Sequence, residues 1–107
     1  MIDWKTVWKD AVAAAEAVVS DRAPKAKGYV KDIVKAREKR IKLLLIALAD
    51  GALDEATIEA ELREERAILE SELLAVRVMV KKAAQDAANA LIGTIQKALL
   101  DGIRLVA

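Results

Sequence analysis

The sequence predicts an all-α protein, because apolar residues recur at helical spacing along a chain that has few residues able to form turns. Hydrophobic residues make up 55% and charged residues 33% of the 107 residues, which leaves only four Gly and one Pro. Aromatic residues are 3% and Phe is absent, so we expect a core of Ala, Val, Leu and Ile. Those side chains suit closely packed helices better than a sheet sandwich. A chain of this length is expected to form one domain, residues 1–107.

Two helices are expected before the first strong turn signal. The first, at about residues 3–20, has apolar side chains spaced three and four residues apart. Pro24 interrupts this pattern and suits the first turn of a second helix, at about residues 24–49. Gly51 follows, where it is placed to adopt the left-handed conformation that ends a helix.

A third helix is expected at about residues 54–105. Asp54 is a good N-cap, and no Pro follows it in the chain. Gly93 and Gly102 are the only weak points, so the helix is predicted to continue for roughly 70 Å at about 1.5 Å per residue.

This length predicts a long antiparallel hairpin. The third helix is matched in length only by the first two helices placed end to end through a kink at Pro24. The alternative is a compact three-helix bundle, in which the first helix folds back at Pro24 and the third bends near Gly93.

The hairpin has a definite register, since residues whose numbers sum to about 104 face each other across the turn. Ala14 then lies near Ala90, and the two Ala-rich segments around them can approach closely. The register also sets residues 22–42, with nine Lys/Arg and two Asp/Glu, beside residues 50–72, with nine Asp/Glu and two Lys/Arg. Such charge blocks disfavour parallel or slipped pairings.

One charged residue interrupts the apolar stripe of the second helix. Arg37 lies between Val34 and Ile41 on that stripe, and the hairpin register brings it close to Glu65. We therefore predict that Arg37 is largely buried and forms an ion pair with Glu65 that fixes the register.

The second and third helices carry more apolar residues than one buried stripe needs. The residues that lie off the main stripes are Leu74, Val78, Ile92, Leu99, Leu100, Leu43 and Ile46. A two-layer hairpin buries one stripe per helix, and exposed apolar patches are typical of interfaces. We therefore predict that these residues form the interface of an obligate homo-oligomer, most simply a dimer of hairpins that builds a four-helix bundle.

Two tryptophans, Trp4 and Trp8, are one helical turn apart. They either close the end of the bundle or anchor a partner protein, since Trp is a common residue at binding hot spots.

A lysine stripe, Lys27, Lys31, Lys35, Lys39 and Lys42, lies on the second helix away from its core stripe. It is either a binding face, for the phosphates of a nucleic acid or for an anionic membrane, or a solvated face complementary to the acidic helix. The net charge of +1 favours the solvated face, so no nucleic-acid partner is expected.

No catalytic, cofactor or metal site is predicted, since the chain has neither Cys nor His to serve as thiolate ligand, imidazole ligand or general base. The longest apolar run without a charge, residues 43–49, is far shorter than the roughly 20 residues that span a bilayer. Asp3 and Lys5 interrupt any signal-peptide core, so a cytoplasmic protein is expected.

The predicted function is therefore that of a structural or adaptor protein, not an enzyme, which acts through homo-oligomerisation and contact with other proteins. Its first partner is a second copy of itself, and another helical protein is a further candidate. The alternative is an amphipathic surface-binding module, which uses the same apolar face to bind a membrane or a partner's helix.

Overall fold

The computed structural model describes the backbone of residues 4–75 and 80–106, and the side chains of these residues apart from residue 49 and residues 101–106. This part of the chain is all-helical. Its four α-helices are Trp4–Arg22 (α1), Lys27–Ala49 (α2), Glu55–Ala75 (α3) and Lys81–Val106 (α4), and a 3₁₀ turn at Pro24–Ala26 joins the first two.

The four helices form a compact bundle in which each helix packs against the next in the chain and α4 packs against α1. Within the described ranges, the diagonal pairs, α1 with α3 and α2 with α4, do not approach each other closely. The molecule measures 43 × 20 × 20 Å. The 26 residues of α4 account for about 39 Å of the long axis, so each helix runs along most of the bundle.

Contacts between side chains give the helix directions. Arg22, at the end of α1, forms an ion pair with Asp86 near the start of α4. Arg66 in α3 donates a hydrogen bond of 3.5 Å to Asn89 in α4. The first pair joins the end of α1 to the start of α4, and the second joins the middle of α3 to the early part of α4, as expected for antiparallel neighbours.

The predicted long hairpin is wrong in two respects. The third helix does not run continuously through residues 54–105, because α3 ends at Ala75 and α4 begins at Lys81 and packs back against α3. The first helix is not placed end to end with the second, because α1 folds back along α2. A long axis of 43 Å also leaves no room for a helix of about 70 Å. The three-helix alternative is right about the fold-back at Pro24, but Gly93 lies inside α4 without ending it.

Pro24 lies in the first turn of a helical segment, as predicted, but this segment is a short 3₁₀ turn and not the start of α2 itself. Ala23 donates its N–H to the Val19 carbonyl at 2.8 Å and closes α1, and the Ala26 N–H bonds back to Ala23 at 2.9 Å. Pro24 occupies the first turn of the 3₁₀ segment, where its missing N–H leaves no hydrogen bond unmade. The chain therefore reverses within a few residues, and α2 packs along α1.

The turn at Gly51 confirms the predicted left-handed cap. Gly51 has φ of 75°, a conformation that favours glycine because no Cβ clashes there. Its N–H bonds to the Leu48 carbonyl at 3.1 Å, and the Ala52 N–H bonds to the Ala47 carbonyl at 2.9 Å. These two bonds are the Schellman pattern that satisfies the last carbonyls of a helix.

The start of α3 confirms Asp54 as its N-cap. Asp54 Oδ1 accepts a hydrogen bond of 2.7 Å from the backbone N–H of Thr57, one of the N–H groups that lack a partner within the helix. The hydrogen bonds from Thr57, first that of its side chain and then that of its backbone, hold the pKa of Asp54 below its ordinary value of 3.8.

This cap is expected to make stability depend on pH at the acid end. A carboxyl group whose pKa is lower in the folded state adds stability that is complete above its unfolded pKa and is lost as the pH falls through the folded one. The free-energy difference of unfolding between wild type and Asp54→Ala should therefore be constant near neutral pH and shrink below pH 3.8. Urea denaturation at several pH values measures it. As a control, Asp54→Asn keeps a capping oxygen and should stay close to wild type at neutral pH. If the difference in the free energy of unfolding between wild type and Asp54→Ala stays unchanged at acid pH, the charge of Asp54 does not contribute to the cap.

The core changes in character from one side of the bundle to the other. On α2 and α3 it consists of large aliphatic side chains, such as Ile41, Leu62 and Leu69. Between α1 and α4 it is built largely from alanines. The buried alanines of these two helices are Ala11, Ala15, Ala83, Ala84, Ala87 and Ala88. Small side chains let two helix backbones approach closely, which agrees with α1 and α4 forming the most extensive helix pair.

Candidate interaction surfaces

An ion-pair network joins α2 to α3. Arg37 Nη1 lies 3.3 Å from Glu65 Oε2, and Arg37 Nε lies 3.7 Å from Glu72 Oε1. One turn later, Arg40 Nε lies 3.6 Å from Glu65 Oε1, and Arg40 Nη2 lies 3.4 Å from Glu61 Oε2. Arginines from α2 and glutamates from α3 therefore alternate along the contact, with Glu65 between the two arginines.

The structure brings Arg37 and Glu65 together, and Arg37 is largely buried, as the prediction requires. Glu65 is the more deeply buried group, with 4% of its surface exposed. Arg37 keeps 24% of its side chain exposed, although its Nε atom is buried. Sequence reasoning missed Arg40, the second cation on Glu65. Its spacing of three residues from Arg37 places it on the same side of α2 and could have indicated it.

The apolar residues predicted to form an oligomer interface are distributed over different environments. Ile92 and Leu99 are buried, Leu74 is half-buried, and Leu43, Ile46 and Leu100 are exposed. Val78 lies outside the described residues. The assignment of Ile92 to an interface with another chain is therefore wrong, because Ile92 lies in the core of a single bundle, whereas Leu99 lines a cleft at the bundle surface. The fold-back of α4 onto α3 buries, within one chain, a face that a long hairpin would have left in water.

A cleft of about 450 Å³ opens between α3 and α4, towards the end of the bundle that contains Gly51. Its apolar lining is Leu48 from α2, Leu62 from α3, and Leu99 and Leu100 from α4. Charged side chains of both signs surround it, among them Glu59, Arg63 and Lys97. Leu100 is the exposed member of the lining, at 44%. The arrangement is an apolar groove with a charged rim.

The two tryptophans lie at the same end of the bundle, between α1 and α2. Trp4 and Trp8 are half-buried and pack against the core. They line a cleft of about 60 Å³ together with Glu38, Lys42 and Leu45. That volume is far below the roughly 300 Å³ at which ligand pockets begin. This packing suits the closing of the bundle end, and the role as a partner anchor stays a prediction.

The lysine stripe of α2 does not face the acidic helix. Lys27, Lys31, Lys35, Lys39 and Lys42 are all exposed. Within the part of the chain that the structure describes, none of these lysines forms an ion pair, and the glutamates of α3 that face α2 pair with its arginines instead. The expected complementarity between this stripe and α3 is therefore wrong, because the lysines project from the side of α2 opposite to its core.

The fold and these surfaces define a single-chain helical bundle with exposed grooves and faces. Among the described residues, no three acidic side chains are grouped so that they could hold a metal ion. None of the described helices combines the length and the apolarity needed to cross a membrane. Comparison of the chain with models of protein families, with curated proteins and with solved structures finds no match.

Proposed function

We propose that this chain is an adaptor protein that acts through contact with other proteins, and that its first partner is a second copy of itself. The observation that carries the proposal is the cleft between α3 and α4 with exposed Leu100 at its edge. A soluble helical bundle with a closed core has little reason to leave a large aliphatic side chain beside an apolar groove unless that groove is covered by a partner. We place the adaptor in the cytoplasm on composition alone, because a chain without cysteine needs no disulfide and is therefore suited to a reducing compartment.

The dimensions and chemistry of the cleft suit a helix. A volume of about 450 Å³ lies within the range of sites that bind organic ligands or side chains. Amphipathic helices bind in grooves of this type, with apolar residues on the floor and polar residues at the rim. Leu48 and Leu99 supply the floor above the fully buried Leu62, and an aliphatic side chain from a partner would replace the water that covers Leu48 and Leu100.

A second copy suits the cleft because the patch is self-complementary. In a two-fold dimer the same surface of each copy meets the other, so a patch needs both a projecting side chain and a recess. Leu100 projects beside the recess in this bundle. The rim contains Glu59 and Lys97, so each acid of one copy can meet a base of the other.

This proposal replaces a dimer of hairpins by a dimer of folded bundles. The core closes within one chain, so the apolar area that drives association is the cleft rather than a whole helix face. We therefore propose reversible self-association of folded monomers, in place of the obligate oligomer that the sequence predicted.

The test is the replacement of Leu100. Leu100→Glu places a charge in the proposed interface and should raise the dimer dissociation constant at least about tenfold. Sedimentation equilibrium over a range of concentrations measures it. The matched control is Val80→Glu at the opposite end of the bundle, where Val80 is 68% exposed and a charge should change nothing. A wild-type chain that stays monomeric at every concentration would refute the dimer.

A further inference from the structure

The charges of this chain are unevenly distributed, although its net charge is only +1. Residues 4–49, which form α1 and α2, contain eleven Lys/Arg and five Asp/Glu. Residues 55–106, which include α3 and α4, contain seven Lys/Arg and nine Asp/Glu. Because α1 itself contains three residues of each sign, the excess of positive charge lies on α2 and the turn before it, and an anionic surface would be attracted to that side of the bundle.

The strongest part of this cationic side is the outward face of α2. Lys35, Lys39, Lys42 and Ile46 follow one another at intervals of four, three and four residues, so they share one face of the helix. Leu43 lies beside them and is 52% exposed. We name these five residues the α2 face. It lies opposite to the core stripe of α2, and it combines three cations with two large aliphatic side chains.

The charges of the α2 face are not neutralised within the described part of the bundle. The glutamates of α3 that contact α2 are paired with Arg37 and Arg40, on another side of the helix. The two acidic residues of α2 are Asp32, one turn before the α2 face, and Glu38, which lines the cleft beside Trp4 together with Lys42 but forms no ion pair with it. Three lysines therefore remain available to an external anion.

We propose that the α2 face binds an anionic lipid surface. Lysines close to anionic headgroups gain electrostatic attraction, and aliphatic side chains on the same face enter the boundary between headgroups and acyl chains. A nucleic acid would attract the same lysines through its phosphates but would leave Leu43 and Ile46 in water. The aliphatic pair is thus what favours lipid. Trp4 and Trp8 lie at the same end as Ile46, and Trp is a residue of membrane interfaces.

Vesicle binding of the full chain tests the proposal. The probes are vesicles of phosphatidylcholine alone and vesicles that also contain phosphatidylserine, and the readout is the fraction of protein that sediments with them. Replacing Lys35, Lys39 and Lys42 together by Gln should weaken binding to the anionic vesicles about a hundredfold. The matched control replaces Lys25, Lys81 and Lys82 by Gln. These lysines are also exposed but lie off the α2 face, and Asp86, the partner of Lys82, keeps its ion pair with Arg22, so binding should weaken much less.

A second pair of variants separates lipid from other anions. Leu43→Ser with Ile46→Ser keeps every charge and should weaken vesicle binding about tenfold, while binding to duplex DNA stays the same. Circular dichroism verifies that each variant is folded. Equal binding to both kinds of vesicle, equal losses in the two lysine triples, or binding to DNA that is tighter than binding to vesicles would each overturn the proposal. Failure here leaves the dimer test intact, because Leu100 lies on α4, diagonally across the bundle.

Discussion

Replacing Arg37 and Arg40 together by Met should lower the free energy of unfolding by about 3–5 kcal/mol, the largest effect expected from any surface-accessible pair in this bundle. Met keeps most of the volume of the arginine stems, so packing changes little. The loss arises because Glu65 is 4% exposed and would remain buried without a cation. Urea denaturation followed by circular dichroism measures the change.

Two further variants test whether the instability comes from the unpaired carboxylate of Glu65 or from the loss of arginine side chains as such. Adding Glu65→Met to the double variant removes the unpaired carboxylate and should recover most of the lost stability. Arg63→Met removes an exposed arginine of α3 for which the structure shows no ion pair, and it should stay within about 0.5 kcal/mol of wild type. If the double and triple variants are equally unstable, Glu65 is not the group that requires the arginines.

Replacing Ala15 by Leu should lower the free energy of unfolding by about 1–3 kcal/mol. Ala15 is fully buried on α1, where the core between α1 and α4 consists of alanines and the two backbones are close. A larger side chain would have to push the helices apart or adopt a strained rotamer. The same result is expected for Ala88→Leu on α4.

The control for this prediction lies on the same helix. Ala17 is exposed, so Ala17→Leu changes the residue type in the same way without overpacking a contact, and it should melt close to wild type. Thermal denaturation of the two variants side by side gives the comparison. If Ala15→Leu and Ala17→Leu melt at the same temperature, then α1 and α4 are not closely packed at Ala15.

The local features of this fold could be predicted because each has a local cause. Gly51 and Asp54 end and begin helices through conformations and hydrogen bonds that few other residue types provide. The pairing of Arg37 with Glu65 could be predicted because Arg37 is a single charge on an apolar stripe, and because the turn at Gly51 sets which residues of α2 and α3 face each other. These features depend on a few neighbouring residues, or on a single hairpin.

The break between α3 and α4 could not be predicted in the same way. Neither Gly nor Pro occurs between Gly51 and Gly93, so the sequence contains no strong signal to end a helix. Val76, Val78 and Val80 are β-branched, which lowers helix propensity only slightly. Burial of Ile92 and Leu99 favours the fold-back, and that gain depends on the packing of all four helices.

The wrong topology nevertheless predicted two of the correct helix pairs. A long hairpin that is folded in half keeps its antiparallel neighbours, so α2 still faces α3 and α1 still faces α4. Arg22 pairs with Asp86, a few positions from the register that was expected. Which helices pair could be predicted because the pairing depends on charge and side-chain size. Whether the chain also reverses at Pro24 and between α3 and α4 depends on the burial of residues that are far apart in the sequence.

The alanine-rich contact between α1 and α4 has a consequence for the order in which the protein folds. Three of the four helix pairs join neighbours in sequence across short connections, but α1 and α4 are separated by two whole helices. Closing so long a loop carries the greatest entropic cost of any contact in the bundle. Alanine side chains also bury little apolar area to offset it. Docking of α1 on α4 is therefore the step that we expect to complete the cooperative unit.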